Sequence, residues 1–298
     1  MVQSTVPEQA RIFDRRLLRE RRGRAARDLH AHDFLLKEIG ERLCDRLSDI
    51  ARSFPLTLDL GARDGLLART LNGRGGIETL IQSDASLINA RGLQKAGPSL
   101  VADEELLPFK AECFDAILSN LALHWVNDLP GALVQIRSSL KPDGLFLASL
   151  FGSGTLTELR SCLMEAELAE LGGASPRISP FADLRDAAGL LQRAGFALPV
   201  ADVDTITVTY GDVFALLRDL RGMGETNVLL ERLKHPTRRT IFARTAALYQ
   251  DRFADREGRL CATFQVLFLT GWAPHESQQQ PARRGSGKTS LKDVFRSS

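Results

Sequence analysis

The sequence predicts an α/β fold with a mostly parallel sheet and helices on both faces. Between residues 56 and 150, short apolar runs alternate with amphipathic stretches, and strands that alternate with helices form parallel sheets. The first run, residues 56–60, ends at Gly61 and is followed directly by a helical pattern. This strand, glycine turn and helix begin a βαβ unit, whose right-handed crossover leaves few topologies open.

The first half of the chain supplies most of the predicted sheet. Apolar residues spaced three and four apart predict a helix over 34–50 that ends before Pro55. Predicted strands follow at 56–60, 77–83, 99–101, 114–119 and 145–150. Helices are predicted after the glycine turn through Leu71, at 86–95 and at 129–140.

The second half is predicted to contain more helix. Helices are predicted at 156–171, 181–193, 213–220 and 237–252, and strands at 203–210 and 262–269. Two late strands separated by helices predict a helical insertion, or cap, near the C-terminus. The predicted organisation is an N-terminal helical segment (1–52), a ligand-binding core (53–151), a C-terminal part with the cap (152–272) and a polar tail (273–298).

Composition and charge restrict the class of protein. Of the 298 residues 44% are hydrophobic and 26% charged, as in ordinary globular proteins. A net charge of +2 gives no argument for a polyanionic partner, so we predict no nucleic-acid partner. Residues 11–27 are rich in arginine. We interpret them as a solvated helix face, with an acidic protein or nucleic acid as the alternative partner.

The cysteines and apolar runs predict an intracellular protein. The four cysteines are far apart, which favours reduced thiols over a zinc or redox motif. No apolar run approaches the roughly 18–20 residues of a membrane span. The N-terminus lacks the apolar core of a secretory signal, and Glu8, Asp14 and Glu20 are atypical of a transit peptide.

The first strand end is the predicted ligand site, because open α/β sheets bind ligands at the carboxyl ends of their strands. Gly61 lacks a Cβ and permits a tight turn with close approach of a ligand. A dinucleotide fingerprint fails, since Arg63 and Leu66 occupy its second and third glycine positions. The loop therefore favours a nucleoside with a short tail over a pyrophosphate. A purely structural glycine turn is the alternative.

Polar side chains follow the next strands. Asp84 is placed to accept both ribose hydroxyls, or else to cap the helix that follows. Asp103 and Glu104 follow the third strand, where a carboxylate can accept from an adenine amino group, and Asn120 ends the fourth. The predicted cofactor-binding residues are Asp59, Gly61, Ala62, Gly65, Asp84, Asp103, Glu104 and Asn120.

The order of these motifs resembles the class I S-adenosylmethionine-dependent methyltransferases. The resemblance is carried by Asp59-Leu60-Gly61, Asp84, Asp103, Leu107-Pro108-Phe109, Ser119-Asn120-Leu121, His124-Trp125 and Leu140–Gly144. It implies a Rossmann-like class I methyltransferase fold with a helical insertion near the C-terminus. Within the family, the sequence is similar to the branch of the malonyl-carrier-protein methyltransferase of biotin synthesis.

Motifs outside the core resemble, more narrowly, assembly factors of respiratory complex I that hydroxylate a protein arginine. These motifs are Ile12–Arg15, Phe151-Gly152, Ile178–Phe181, Asp219–Glu225, Gly271-Trp272, His275–Gln278 and Arg283–Ser286. The resemblance implies S-adenosylmethionine in the loop Asp59–Gly65, with its ribose at Asp84 and its adenine near Asp103. It also implies a protein substrate, the small iron–sulfur subunit of complex I.

Arg63 departs from the family pattern, because it replaces the second glycine of the cofactor loop. Its side chain either alters the approach to the methionine moiety or points outward without effect. A non-catalytic assembly chaperone is therefore one alternative function, and an O-methyltransferase of a carrier-bound acyl group is another. Only ten residues precede the resemblance, too few for a transit peptide, and so we predict a bacterial cytoplasmic protein.

The chemistry of the site is less defined than its cofactor. A non-haem iron site contains two histidines and a carboxylate, but the sequence has no His-x-Asp or His-x-Glu pair, and we predict no metal site. Methyl transfer mainly requires alignment of donor and acceptor. His124 is a candidate base with Trp125 beside it, or both residues only shape the crevice wall. The tail motif 285–290 lacks the glycine and strand that precede a phosphate-binding loop.

Overall fold

The computed structural model describes Pro7 and residues 11–279, and places a seven-stranded sheet within them. The strand order is β3-β2-β1-β4-β5-β7-β6. The strands are β1 (Leu56–Leu60), β2 (Thr79–Asp84), β3 (Ser99–Val101), β4 (Phe114–Asn120), β5 (Leu140–Phe151), β6 (Ala197–Tyr210) and β7 (Leu260–Trp272). Pairing is parallel from β3 to β5, and β7 runs antiparallel to both β5 and β6. The predicted fold class is confirmed.

Helices cover both faces of the sheet. They are α1 (Arg15–Ala25), α2 (Phe34–Ser48), α3 (Leu66–Leu71), α4 (Leu87–Leu93), α5 (Leu129–Ser139), α6 (Thr157–Leu171), α7 (Leu184–Arg193), α8 (Val213–Gly222) and α9 (Arg239–Phe253). One apolar core contains buried residues of α2, α3, α6, α8 and α9, and a second contains those of α5 and α7. Helices α8 and α9 lie between β6 and β7 in the chain, where the helical insertion was predicted.

The last strands are longer than predicted. Strand β5 begins at Leu140, whereas the prediction began it at residue 145. The residues between Leu140 and Leu145 form a bulge within the strand, so that Phe114 pairs with Leu140 and Ala116 pairs with Leu145. Strand β6 begins at Ala197, six residues before the predicted start, and includes Pro199. Because β6 is the edge of the sheet, a residue without an N–H is tolerated there.

The arginine-rich N-terminal segment differs from the prediction. Helix α1 begins after Asp14, whose side chain accepts from the Leu17 N–H. Two of its arginines, Arg15 and Arg22, are only 8% and 4% exposed, because their guanidinium groups lie against buried carboxylates. The interpretation of this segment as a solvated face is therefore wrong for these two residues.

The segment before α1 also pairs with the loop that follows α8. Phe13 forms an isolated antiparallel bridge with Leu229, and the N–H of Asp14 donates to the Val228 carbonyl at 2.8 Å. The ring of Phe13 contacts that of Trp125 edge to face. We call Phe13, Asp14, Val228 and Leu229 the strap, because they join the N-terminal segment to the cap.

Among the described helices, none combines the length and apolar character required to cross a bilayer. The tail motif at 285–290, the arginine pair at 283–284 and most of the predicted polar tail lie outside the described residues.

Candidate cofactor and substrate site

The loop from Asp59 to Gly65 joins β1 to α3 at the carboxyl edge of the sheet. Gly61 has φ +81°, and a Cβ there would lie 2.3 Å from the Cβ of Ala122. Gly65 has φ +76°, and its Cβ would lie 2.8 Å from Gln82 Oε1. Ala62 is buried, and its N–H donates to the Ser83 carbonyl at 2.8 Å. Both glycines are thus required by backbone conformation and by close packing.

Asp84 lies at the end of β2 with its side chain buried. One carboxylate oxygen accepts from the Ser86 N–H at 2.7 Å and from Asn89 Nδ2 at 3.1 Å. The other accepts from the Arg63 N–H at 3.0 Å. Burial raises the pKa of Asp84, against the opposing charge of Arg22. The carboxylate therefore orders the start of α4 and the cofactor loop together, and its role toward ribose stays a prediction.

Asp103 and Glu104 meet arginines of α1. Arg15 donates to Asp103 at 2.6 Å and also forms an ion pair with Glu104. Arg19 donates to Asp103 at 2.9 Å. These contacts place α1 over the predicted adenine end of the crevice.

Two buried carboxylate oxygens in the crevice lack hydrogen-bond donors in the described part of the chain and indicate whether a nucleoside would fit there. Asp59 Oδ2 and Glu104 Oε1 are buried and accept no hydrogen bond from a described residue, although Arg22 Nη1 lies 3.7 Å from Glu104 Oε1 as an ion pair. Burial, with Asp84 and Asp64 nearby, raises the pKa of Asp59 to about 8. Unsatisfied buried acceptors are costly, and a group with hydroxyl and amine donors satisfies them. Together with the Gly61 turn, these residues fit the nucleoside part of S-adenosylmethionine.

The predicted methionine end of the crevice contains the Arg63 side chain, which points inward. Its guanidinium donates to the Met223 carbonyl at 2.6 Å and to the Leu121 carbonyl at 3.1 Å, and it forms an ion pair with Glu225. Arg63 has φ +54°, a conformation that glycine adopts without strain. The guanidinium thus stands where the family pattern has a bare glycine.

Asn120 does not point into the crevice as we had expected. Its Nδ2 donates to the Leu36 carbonyl at 3.0 Å, and its Oδ1 accepts from Ser149 Oγ at 2.7 Å. Its side chain therefore ties β4 to α2 and β5. The sequence pattern placed Asn120 correctly at the strand end, but the period-two alternation of a strand alone did not decide which partner its amide would take.

Glu225, which follows α8, was not among the predicted site residues. Its carboxylate accepts from His124 Nε2 at 3.1 Å and from Trp125 Nε1 at 2.8 Å, and its side chain is only 4% exposed. Burial opposes its ionisation, but Arg63, His124 and Arg22 outweigh burial and lower its pKa. The only signal in the sequence was its place in the motif 219–225, since no strand end precedes it.

The two catalytic candidates, His124 and Trp125, lie together on Glu225. Burial lowers the pKa of His124, against the attraction of Glu225, and its ring is therefore neutral. An ionised carboxylate only accepts, so Nε2 carries the proton. Nδ1 is then the free base, and it is buried without a partner among the described residues. This tautomer suits a general base, although that role stays a prediction.

An apolar cavity of about 220 Å³ opens beside this cluster. Aromatic and aliphatic side chains line most of it, and Glu225 is its one acidic lining residue. Its lining includes Trp125, Phe151, Leu156, Phe181, Leu220 and Phe264. The rings of His124, Phe151 and Phe181 contact one another. A charged group that enters this cavity would meet a single carboxylate, that of Glu225, among mostly apolar side chains, with Arg177 and Arg221 also in the lining.

Within residues 11–279 and Pro7, no group of three or more His, Cys, Asp or Glu side chains is arranged to hold a metal ion.

The fold and the carboxyl-edge crevice define an enzyme of the S-adenosylmethionine-dependent methyltransferase type, with S-adenosylmethionine as its cofactor. A methyltransferase domain family matches residues 58–148. A methyltransferase-like structure from Bacillus halodurans superimposes with a TM-score of 0.55 at 12% identity, over 79% of this chain and 99% of that one. This likeness supports the fold alone.

Two curated relatives narrow the family. The human mitochondrial arginine-hydroxylase NDUFAF5 is 44% identical over 98% of this chain and 85% of its own length. A malonyl-acyl-carrier-protein O-methyltransferase from Xylella fastidiosa is 34% identical over 88% of this chain and 89% of its own. The chain belongs to the family of the arginine-hydroxylase NDUFAF5, a branch of the class I methyltransferases.

This relationship corrects one prediction. We had predicted a bacterial cytoplasmic protein from the short segment before the first family motif. The comparison contradicts that location, because relatives that match nearly the whole chain, including those from human and zebrafish, are mitochondrial proteins. The length of a segment before a motif does not determine a compartment.

Proposed function

We propose that the protein modifies an arginine side chain of a protein substrate during assembly of respiratory complex I, by hydroxylation or methylation. The substrate is the small iron–sulfur subunit, as the resemblance implies. One observation carries the proposal: the carboxylate of Glu225, at the wall of the apolar cavity, binds a guanidinium group. That group belongs to Arg63.

The acceptors around this guanidinium suit a substrate arginine. Glu225 supplies a buried negative charge, and the carbonyls of Leu121 and Met223 accept from the remaining N–H groups. A guanidinium has five donors in a fixed plane, and bidentate contacts with a carboxylate give it geometric specificity. Lysine cannot satisfy the same three acceptors in that plane. A substrate arginine thus competes with Arg63 for Glu225.

The residues that hold the cofactor follow from the same geometry. Asp84 is our proposed ribose ligand, and Asp59 and Glu104 supply further unsatisfied acceptors at the nucleoside end. Gly61, Ala62 and Gly65 let the backbone approach. For methylation, the bound cofactor would supply an activated methyl group on its sulfonium, and His124 Nδ1 would supply a base within the same crevice. Hydroxylation would in addition require an oxidant. Asn120, which the sequence predicted as a cofactor ligand, is not among these residues, because its amide binds α2 and β5.

Mass spectrometry of the small iron–sulfur subunit tests the proposed function. The subunit from cells that lack this protein should lose a modification on one arginine, and the parent gene should restore it. A Glu225→Gln variant, compared at a matched amount of folded protein, should not restore it, whereas Glu257→Gln, at an exposed glutamate, should. An arginine of unchanged mass in the deletion strain would contradict the proposal.

The relative from Xylella fastidiosa supports a second candidate, an O-methyltransferase of a carrier-bound acyl group. The apolar cavity would then receive the acyl chain. This function predicts that cells lacking the protein require biotin, and growth of those cells without biotin would dispose of it.

The inward position of Arg63 supports a third candidate, an assembly chaperone without catalysis. Calorimetric titration with S-adenosylmethionine separates it from the enzyme. The enzyme predicts saturable binding that Asp84→Ala weakens, and a chaperone predicts none. An Asp84→Ala protein that binds as tightly as its parent would remove the ribose assignment.

A further inference from the structure

A second cavity, of about 740 Å³, adjoins the apolar one and is dominated by arginine. Six arginines line it, against one acidic residue, Asp28. The arginines are Arg21, Arg24, Arg177, Arg218, Arg221 and Arg232. They come from α1, from α8 and from two loops, so the concentration of charge is built by the tertiary fold and not by one helix face.

Most of this charge has no counter-ion among the residues that the structure describes. Arg24, Arg218 and Arg221 form no ion pair with any residue that the structure describes. By contrast, Arg177 pairs with Glu167, and Arg232 lies 3.4 Å from Asp14. The unpaired arginines hold like charges close together, which is unfavourable unless an anion joins them.

Arg21 shows the effect of this crowding. Its guanidinium donates to Thr226 Oγ1 at 2.9 Å and to the Asn227 carbonyl at 2.5 Å, neither of which carries charge. Burial lowers its pKa, and the neighbouring charges of Arg232 and Arg24 lower it further. The protein therefore keeps a partly buried cation fixed in place without neutralising it.

The arginine-rich cavity shares part of its wall with the apolar cavity. Arg177, Arg221, Thr226 and Asn227 line both of them. The apolar cavity in turn reaches Glu225. A ligand that fills both would have negative charge at one end and, at the other, a group suited to a buried carboxylate.

We propose that the arginine-rich cavity binds carboxylate side chains of the protein substrate that flank its target arginine. The inference rests on the proposed function, and it names the recognition feature: an acidic segment next to the arginine that reaches Glu225. A concave surface that leads into an apolar cavity favours a polypeptide over a membrane or a nucleic acid, which present broad anionic surfaces.

Peptide binding tests this inference. Two short fluorescent peptides share a central arginine, flanked by glutamates in one and by glutamines in the other. At low salt we expect the glutamate peptide to bind roughly tenfold more tightly, because complementary charge raises association and affinity. The difference in affinity between the two peptides should shrink as salt is added, since salt screens charges in the exposed parts of the cavity. Equal affinities for the two peptides at low salt would overturn the inference.

Variants locate the effect. The double variant Arg218→Gln/Arg221→Gln should lose most of the preference for glutamate, and both side chains are exposed, so folding is preserved. Arg256→Gln, an exposed arginine outside the cavity, is the matched control and should retain the preference. A double variant that keeps the full preference would overturn the cavity assignment.

Further probes separate this inference from its alternatives and from the proposed function. Anionic vesicles or single-stranded oligonucleotides that bind through Arg218 and Arg221, while the two peptides bind equally, would overturn it in favour of those partners.

Replacing the central arginine of the peptides by lysine tests the role of Glu225 separately. A glutamate preference that persists without any preference for arginine supports the acidic docking and contradicts arginine modification. Selectivity for arginine without the glutamate preference supports arginine modification and contradicts the acidic docking.

Discussion

The crevice has two ends that the chain builds in different ways. At the proposed nucleoside end, Asp59 and Asp84 lie at the carboxyl ends of the consecutive strands β1 and β2, so that the sheet alone brings them together. At the other end, Glu225 comes from the loop after α8 and meets His124 and Trp125, about one hundred residues earlier in the chain. The first end belongs to the parallel sheet, and the second exists only because the cap folds back over it.

The largest expected effect concerns the cap end. Glu225→Ala leaves Arg63 and Arg22 without their shared carboxylate, and removal of one partner from a buried ion pair costs about 3–5 kcal/mol. We expect urea unfolding to show a loss of that size. Glu257→Ala, at a glutamate whose side chain is 72% exposed, should change little. A small loss at Glu225 would mean that the cap is not fixed by this carboxylate.

At the nucleoside end, Gly61→Ala should be the most damaging small change. The new Cβ would overlap with Ala122, and φ would remain at +81°, so we expect a cost of roughly 2–4 kcal/mol. Gly73→Ala is the matched control, because its φ is +82° but nothing lies within 4 Å of the added Cβ. The difference in unfolding free energy between the two variants measures the overlap alone. Equal losses would contradict the close approach to Ala122.

Stability against pH tests the buried carboxyl of Asp59. Its pKa of about 8 in the folded protein lies above the usual value of 3.8. The protonated form therefore favours the folded state, and stability is lost as pH rises from about 4 to 8. Asp59→Asn removes this loss and should be more stable than its parent by about 1–3 kcal/mol at pH 8. The advantage should vanish below pH 4 in thermal melts, and a constant advantage would contradict the raised pKa.

Arg63 lies where the two ends meet, and the change in cofactor affinity on its replacement is the smallest effect that we expect. The same replacement removes one of the two arginine partners of Glu225 and should also lower stability. Arg63→Gly frees the methionine end and relieves the positive φ. We expect S-adenosylmethionine to bind roughly tenfold more tightly, because apparent affinity falls with the fraction of molecules whose site is closed. Arg256→Ala, at an exposed arginine in the loop between α9 and β7, is the control. Unchanged affinity in calorimetry would show that the guanidinium and the cofactor do not compete.

The sequence predicted the sheet-built end well, because strand periodicity and glycine turns are local signals. Strands β1 and β3 were placed with their observed bounds, and the helical insertion between the last two strands was recognised. Which way a side chain points was beyond reach: Asn120 binds Leu36 and Ser149, and Arg15 and Arg22 are buried. These outcomes depend on the packing of α1 and α2, which no local pattern encodes.

Glu225 is a further residue whose role could not be predicted from local sequence patterns. A glutamate after a helix is usually solvated, and only the tertiary fold brings it to His124. The arginine-rich cavity is similar, since its members are separated by up to two hundred residues in the chain. A net charge of +2 concealed that concentration of charge, because acids elsewhere in the sequence balance it.

The strap has a kinetic consequence for the crevice. Because Phe13 and Asp14 pair with Leu229 and Val228, the helix that covers the adenine end and the loop that carries Glu225 are joined. A molecule that enters or leaves by lifting one of them must also strain or release the other. We therefore expect the residence time of cofactor and substrate to depend on a single opening event, whose barrier includes the packing of Phe13 against Trp125.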